Sequence, residues 1–100
     1  MTTVTLDPGI CGHITRITVE QTPEYTVRAA VQTTCPNITK IPAEVLVFDP
    51  VMEMTNRGEL PQRIREYLPH AACPFLSVLV KAAEVEAGLA LRKDAAIHFE

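Results

Sequence analysis

Hydrophobic and polar residues alternate with a period of two along the first third of the chain. The alternation covers residues 3–6, 13–20 and 25–32, and β-branched residues are frequent in these segments. A period of two is typical of half-buried β-strands. Residues 7–9 (Asp-Pro-Gly) and residues 21–24 supply turn signals between the segments. The pattern predicts a three-stranded antiparallel sheet at the N-terminal end of the chain.

The positions of the apolar residues restrict how the second and third strands pair. Both apolar faces carry odd residue numbers, so the numbers of two opposed residues must sum to an even value if both faces are to be buried together. A short loop gives two registers, with Ile17 opposite either Val27 or Ala29. The second register places Cys11 directly opposite Cys35, and the first leaves these two cysteines on a diagonal. The hairpin is therefore expected to bring two thiols together.

Beyond Cys35 the spacing of apolar residues becomes helical, and prolines mark the starts of predicted helices. Proline is accepted in the first turn of a helix because no hydrogen bond is donated there. Four residue pairs place proline in this way: Cys35-Pro36, Asp49-Pro50, Leu60-Pro61 and Cys73-Pro74. Pro42 would remove a helical hydrogen bond, so the segment 36–48 is predicted to be kinked or to begin near Thr39.

The remaining helices are predicted from caps and apolar stripes. Asp49 is an expected N-cap of a short helix that ends by Gly58. Residues 61–68 carry a narrow apolar stripe. The clearest helix is predicted over residues 74–87, where Gly88 supplies the stop.

The end of the chain returns to a strand pattern. Residues 95–99 place Ile97 and Phe99 on one side, with His98 pointing to solvent. Three strands, several short helices that start at X-Pro, and a C-terminal strand returning to the sheet predict an α+β fold. No linker or repeat interrupts the sequence, so residues 1–100 are expected to form a single domain.

Composition and charge exclude several classes of protein. With 100 residues, 47% hydrophobic and 21% charged, the chain is suited to one globular core. The nine Lys and Arg residues are dispersed and the formal net charge is −3, so nucleic-acid binding is not expected. No apolar run reaches the length of a membrane span, and the first residues do not resemble a signal peptide. We expect a cytoplasmic protein with no nucleic-acid or membrane partner.

Three cysteines carry the candidate chemistry. Cys11, Cys35 and Cys73 form no Cys-x-x-Cys pair, and their odd number favours reduced thiols over a disulfide framework. Cys35 and Cys73 each precede a proline and are expected to be N-caps, where the N–H groups of a helix favour the thiolate. The thiols are thus predicted to converge on one pocket.

Three clustered thiolates predict a metal site. Cys11, Cys35 and Cys73 would hold zinc or an iron–sulfur cluster, and three protein ligands leave one position open. His13 is the expected fourth ligand, with His70 as the alternative. No catalytic residue is assigned, because the sequence contains neither a phosphate-binding loop nor a Ser/His/Asp set.

Two other interpretations remain open. In the first, the cysteines only pack, and the protein is an interaction module or homo-oligomer that pairs through an outer strand at residues 4–6 or 97–99. In the second, the site performs thiol redox chemistry, with Cys35 as the nucleophile and Cys11 as its resolving partner. The sequence identifies no small-molecule ligand.

The cysteine-centred motifs also carry a resemblance. Residues 7–13 (DPGICGH), 35–37 (CPN), 73–74 (CP) and 88–94 (GLALRKD) resemble those of a small family of uncharacterised three-cysteine proteins. These proteins, of about 100 residues, occur in strictly anaerobic bacteria and methanogenic archaea. Arg92 departs from the proline that the resemblance leads us to expect. The resemblance implies no catalytic residue, but an anaerobic lineage is compatible with an oxygen-sensitive cluster or thiol.

Overall fold

An antiparallel sheet of four strands begins at the N-terminus of the computed structural model, which describes residues 1–100. The strands are β1 (Thr2–Leu6), β2 (Thr15–Gln21), β3 (Val27–Thr33) and β4 (Val47–Phe48), and they lie side by side in chain order. The predicted N-terminal three-stranded sheet and the α+β fold are confirmed. The two-residue β4 is an addition that the sequence pattern did not predict.

The register between β2 and β3 keeps the predicted parity but not the predicted pairs. Ile17 lies opposite Val31, so paired residue numbers sum to 48 rather than to 44 or 46. Both predicted registers are therefore wrong. The reason is the turn: Tyr25 has a positive φ of 62° and is exposed, so it belongs to the turn rather than to the strand. The hydroxyls of Thr22 and Thr26 lie 2.7 Å apart and close the turn over residues 23–25.

Proline interrupts the segment between β3 and β4, as expected. It contains two 3-10 helices, Ile38–Lys40 and Ala43–Leu46, on either side of Pro42. The kink predicted within residues 36–48 is confirmed. Both 3-10 helices contact β3, and β4 then pairs only with the first two residues of that strand.

Three α-helices follow β4: α1 (Pro50–Met54), α2 (Leu60–Arg65) and α3 (Phe75–Glu86). Asp49 caps α1 as predicted, because its Oδ1 accepts a hydrogen bond of 2.9 Å from the Val51 N–H. Gly88 has a φ of 74°, the left-handed conformation of the predicted helix stop. None of the helices is long and apolar enough to cross a lipid bilayer.

The core lies between one face of the sheet and α3. Helix α3 contacts β1 and β2, and its Phe75 and Leu79 are completely buried. Ile17 of β2 and Ile64 of α2 are equally inaccessible. Odd positions of β2 and β3 therefore face the core, as the apolar pattern predicted.

The predicted C-terminal strand does not form. Residues 91–100 have no regular secondary structure and are exposed throughout, with Ile97 84% and Phe99 98% accessible. His98 is exposed, as predicted. The fourth position in the sheet is taken by β4, and residues 95–99 pair with no strand in this structure. A strand pattern alone cannot order a segment that lacks a partner strand.

Candidate functional site

The three cysteines lie in three different parts of the chain and all are free thiols. Cys11 is exposed in the loop between β1 and β2, where the Gly12 N–H donates to the Gly9 carbonyl at 3.0 Å. Cys35 follows β3, and Cys73 precedes α3. Both are half-buried and pack against the hydrophobic core.

Neither Cys35 nor Cys73 is a helix N-cap, so this part of the sequence prediction is wrong. The first hydrogen bond of α3 runs from the Val78 N–H to the Pro74 carbonyl, which makes Pro74 the cap. Asn37 occupies the cap position of the first 3-10 helix. The predicted activation of the two thiols rested on that cap position.

His13 lies at the same end of the β2–β3 hairpin as Cys35. Its Nδ1 is 2.9 Å from the Thr34 hydroxyl, next to Cys35 in the chain. The Cys35 N–H donates to the Thr33 hydroxyl at 3.1 Å, and that hydroxyl lies 2.8 Å from the hydroxyl of buried Thr15. These hydroxyls and the imidazole hold the strand ends together.

The four predicted metal ligands, Cys11, His13, Cys35 and Cys73, all lie outside the helices and strands. No group of three or more His, Cys, Asp or Glu side chains is arranged to hold a metal ion. His70 is exposed and uses its carbonyl to accept a bond of 3.2 Å from the Cys73 N–H. Metal binding by Cys11, Cys35, Cys73 and His13 stays a prediction from the sequence.

An open groove of about 840 Å³ lies beside β3. Six consecutive residues, 28–33, line one wall. Successive side chains of a strand point to opposite faces, so a run of consecutive lining residues means that the groove follows the edge of β3. Ile38 and Ile41 of the 3-10 segment also line the groove, where they expose 6% and 8% of their surface.

The edge of β3 is open along this groove. Only Val27 and Arg28 pair with β4. The Thr22 N–H donates to the Thr26 carbonyl at 2.9 Å, which sets the alternation of hydrogen-bonded pairs between β2 and β3. By this alternation, Val31 and Thr33 direct their main-chain N–H and C=O groups to the groove side, where no strand pairs with them.

Few charged residues line the groove, and they carry charges of both signs. Arg28 and Glu44 are among its lining residues. The guanidinium of Arg28 is 58% exposed and lies 3.6 Å from the Glu20 carboxylate on the neighbouring strand. Arg28 therefore remains accessible to a further acidic group at this end of the groove.

A second polar cluster fixes the end of α3 to the sheet. The Glu86 carboxylate accepts a bond of 2.8 Å from the Thr2 hydroxyl and one of 3.2 Å from the Gln21 N–H, and it lies 3.1 Å from the α-amino group of Met1. Burial acts to raise the pKa of Glu86, but these donors outweigh it and hold the pKa below its usual value. The cluster is structural, because its acceptors are already occupied.

The remaining perturbed group is Glu53, in a smaller hollow between β4 and α2. Burial raises the pKa of Glu53, a hydrogen bond from the Leu60 N–H opposes this, and the charges of Asp49 and Glu59 raise it further. The carboxyl packs directly against Gly58, where a Cβ would collide with it. The shift thus reflects tight packing among other acidic groups.

Taken with the fold, the groove defines a class: a small α+β domain whose antiparallel sheet leaves one strand edge open beside an apolar groove. The chain belongs to a family of unknown function, DUF6951, whose model matches residues 2–99. This confirms membership of an uncharacterised family. No curated protein and no solved structure matches the chain.

Sequence reasoning did not find the groove. Its two walls are 3-10 turns and a strand edge, and it exists only because β4 is two residues long. One sequence feature pointed toward the groove: prolines are frequent after residue 35. They divide the segment between β3 and β4 into short 3-10 helices, which do not cover the edge of β3.

Proposed function

We propose that this protein is an interaction module that binds an extended polypeptide segment along the open edge of β3. The observation that carries the proposal is the groove wall of six consecutive β3 residues, 28–33, facing Ile38 and Ile41. An extended segment that adds to a sheet edge gains main-chain hydrogen bonds, and its alternate side chains enter pockets that give specificity.

The chemistry of the groove favours a partner with alternating apolar residues. Val31 and Thr33 offer main-chain donors and acceptors on the groove side, and odd positions of β3 face the core. A bound strand would place every second side chain toward Ile38 and Ile41, and the others toward solvent. The interpretation requires no reaction and leaves the cysteines as packing residues.

A proline at position 31 tests the proposal. The Val31 N–H points to the groove and does not bond to β2, so Val31→Pro removes an edge donor and blocks strand addition while the β2–β3 ladder is retained. Thr3→Pro is the matched control on the outer strand β1, away from the groove.

A library of random linear dodecapeptides is selected against the wild-type chain and against both variants. We expect peptides with alternating apolar residues that bind the wild type and Thr3→Pro but not Val31→Pro. Circular dichroism and urea unfolding verify that the variants are folded. Equal binding of the selected peptides to Val31→Pro would overturn the proposal.

A further inference from the structure

The C-terminal segment, residues 95–99, has the properties that the groove requires of a partner. Its apolar residues alternate, Ile97 and Phe99 are almost fully exposed, and it has no secondary structure of its own. Large apolar side chains in water are unfavourable, and so is an exposed apolar groove. We propose, on the basis of the function proposed above, that this segment of a second copy occupies the groove.

The available register supports antiparallel addition. Ile97 and Phe99 must face the core side together with Val31 and Thr33, so paired numbers sum to an even value. A register in which paired residue numbers sum to 128 would place Glu100 opposite Arg28, but Arg28 already pairs with Val47 of β4. A sum of 130 clears β4 and sets Phe99 opposite Val31 and Ile97 opposite Thr33.

Charge is consistent with this register. Glu100 would lie opposite Ala30 and therefore diagonal to Arg28 on the solvent face of the sheet, within reach for an ion pair. Arg28 is 58% exposed and its only ion pair in the structure, with Glu20, is 3.6 Å long. The pairing adds a carboxylate next to an accessible guanidinium.

The segment of the same chain is badly placed for this pairing. Glu86 contacts Gln21, which pairs with Val27 at the turn end of the hairpin. In this register Ala95 would lie opposite position 35, about 27 Å further along the strand direction than Val27, and about two strand spacings, or roughly 10 Å, to the side. The straight-line distance is therefore about 29 Å, and the nine residue steps from Glu86 to Ala95 span about 30–32 Å only at full extension. Residues 87–90 form a turn and a bend instead, so the segment of the same chain does not reach this position.

A second copy meets no such restriction, and reciprocal exchange of two segments closes into a symmetric dimer. Each chain then donates residues 95–99 and accepts the same segment from its partner, which doubles the contact and leaves no open end for further growth. The partner is thus a second copy of this chain.

Charge substitutions on the two faces of the segment test the pairing. Ile97→Lys with Phe99→Lys places two charges against the apolar groove, and Ala96→Lys with His98→Lys places two charges on the solvent face. By sedimentation equilibrium we expect a dimer for the wild type and the solvent-face variant. The apolar-face variant should raise the dimer dissociation constant at least about tenfold. A monomeric wild type, or equal effects of the two variants, would overturn the inference.

Heterotypic disulfides test the register and the second copy directly. In a background with alanine at positions 11, 35 and 73, a chain with Val31→Cys is mixed with a chain carrying Phe99→Cys or, as the control, His98→Cys. We expect an intermolecular disulfide with Phe99→Cys and much less with His98→Cys. A single chain carrying Val31→Cys and Phe99→Cys that closes an intramolecular disulfide at low concentration would refute the second copy.

Failure of this inference and failure of the proposed function are distinguishable. The peptide selection is repeated on the chain with Ile97→Lys and Phe99→Lys, whose groove cannot be filled by its own segment. If peptides bind this variant while the wild-type segment gives neither a dimer nor the expected cross-link, the role of the segment is refuted and the proposed function is retained. Absence of peptides from both selections would refute the function itself.

Discussion

Replacing Glu86 by glutamine should destabilise the protein at neutral pH. The Glu86 side chain is 10% exposed and accepts from the Thr2 hydroxyl and the Gln21 N–H, which joins α3 to β1 and β2. A hydrogen bond to a charged group contributes about 1.5–3 kcal/mol, and the contact with the 65%-exposed amino group of Met1 adds less than about 1 kcal/mol. Glutamine keeps one acceptor oxygen, so we expect Glu86→Gln to lose about 2 kcal/mol of unfolding free energy.

The effect of Glu86→Gln should depend on pH in a defined direction. The native pKa of Glu86 lies below its usual value, so the ionised carboxylate stabilises the fold above the unfolded pKa. That stability is lost as the pH falls through the native pKa. The difference between wild type and Glu86→Gln should therefore be largest near pH 7 and shrink below about pH 4.5.

Urea unfolding at pH 7 and at pH 3 measures the loss of unfolding free energy and its dependence on pH. A loss of about 2 kcal/mol corresponds to a fall of about 8–16 °C in melting temperature for a domain of this size. Glu84→Gln is the matched control, because it changes the same charge in the same helix and its side chain has no hydrogen bond in the structure. Equal stability of the two variants at pH 7, or a difference that persists unchanged at pH 3, would refute the role assigned to Glu86.

Three further predictions concern the strand ends, the first helix and the cysteines. Thr15→Val removes a 1%-exposed hydroxyl that bonds to Thr33 and to the His13 carbonyl, so urea unfolding should show a loss of about 1–2 kcal/mol. Asp49→Ala removes the cap of α1 and should cost about 1 kcal/mol in the same assay, while no loss would show that the cap is dispensable. The metal hypothesis predicts stoichiometric zinc or iron in anaerobically purified protein and its loss in Cys35→Ser, and elemental analysis showing metal-free protein would contradict it.

The parity of the hairpin could be predicted from sequence, but its exact register could not. Alternation fixes which residues of β2 and β3 share a face, because burial of one face excludes a shift by one residue. A shift by two preserves that face and only moves the turn by one residue along the chain. The loop is set by the positive φ of Tyr25 and by the Thr22–Thr26 contact, and neither follows from hydrophobic pattern.

The prediction that the hairpin brings Cys11 and Cys35 together depended on the register between β2 and β3, and the observed register weakens it. Because the pairs sum to 48, the position opposite Cys11 moves beyond Cys35, and β2 starts only at Thr15. Cys11 therefore lies in a loop outside the ladder. Proline after Cys35 and Cys73 marked the neighbourhood of helix starts correctly but not the cap residue, since a cap is defined by one hydrogen bond that a neighbouring residue can equally provide.

The strand prediction for residues 95–99 failed for a reason that separates strands from helices. Helix α3 forms its hydrogen bonds within one segment, so its apolar spacing and the stop at Gly88 were sufficient to place it. A strand forms its hydrogen bonds with another segment, so an alternating pattern states only that the segment is suited to an edge. Residues 27–31 and residues 95–99 carry the same kind of pattern, and the first belong to β3 because β2 lies beside them. The second has no neighbour in its own chain, while β3 leaves Val31 and Thr33 without a strand on one side. An unpaired strand sequence and an unpaired strand edge in one protein are each unfavourable in water, and pairing between two copies removes both.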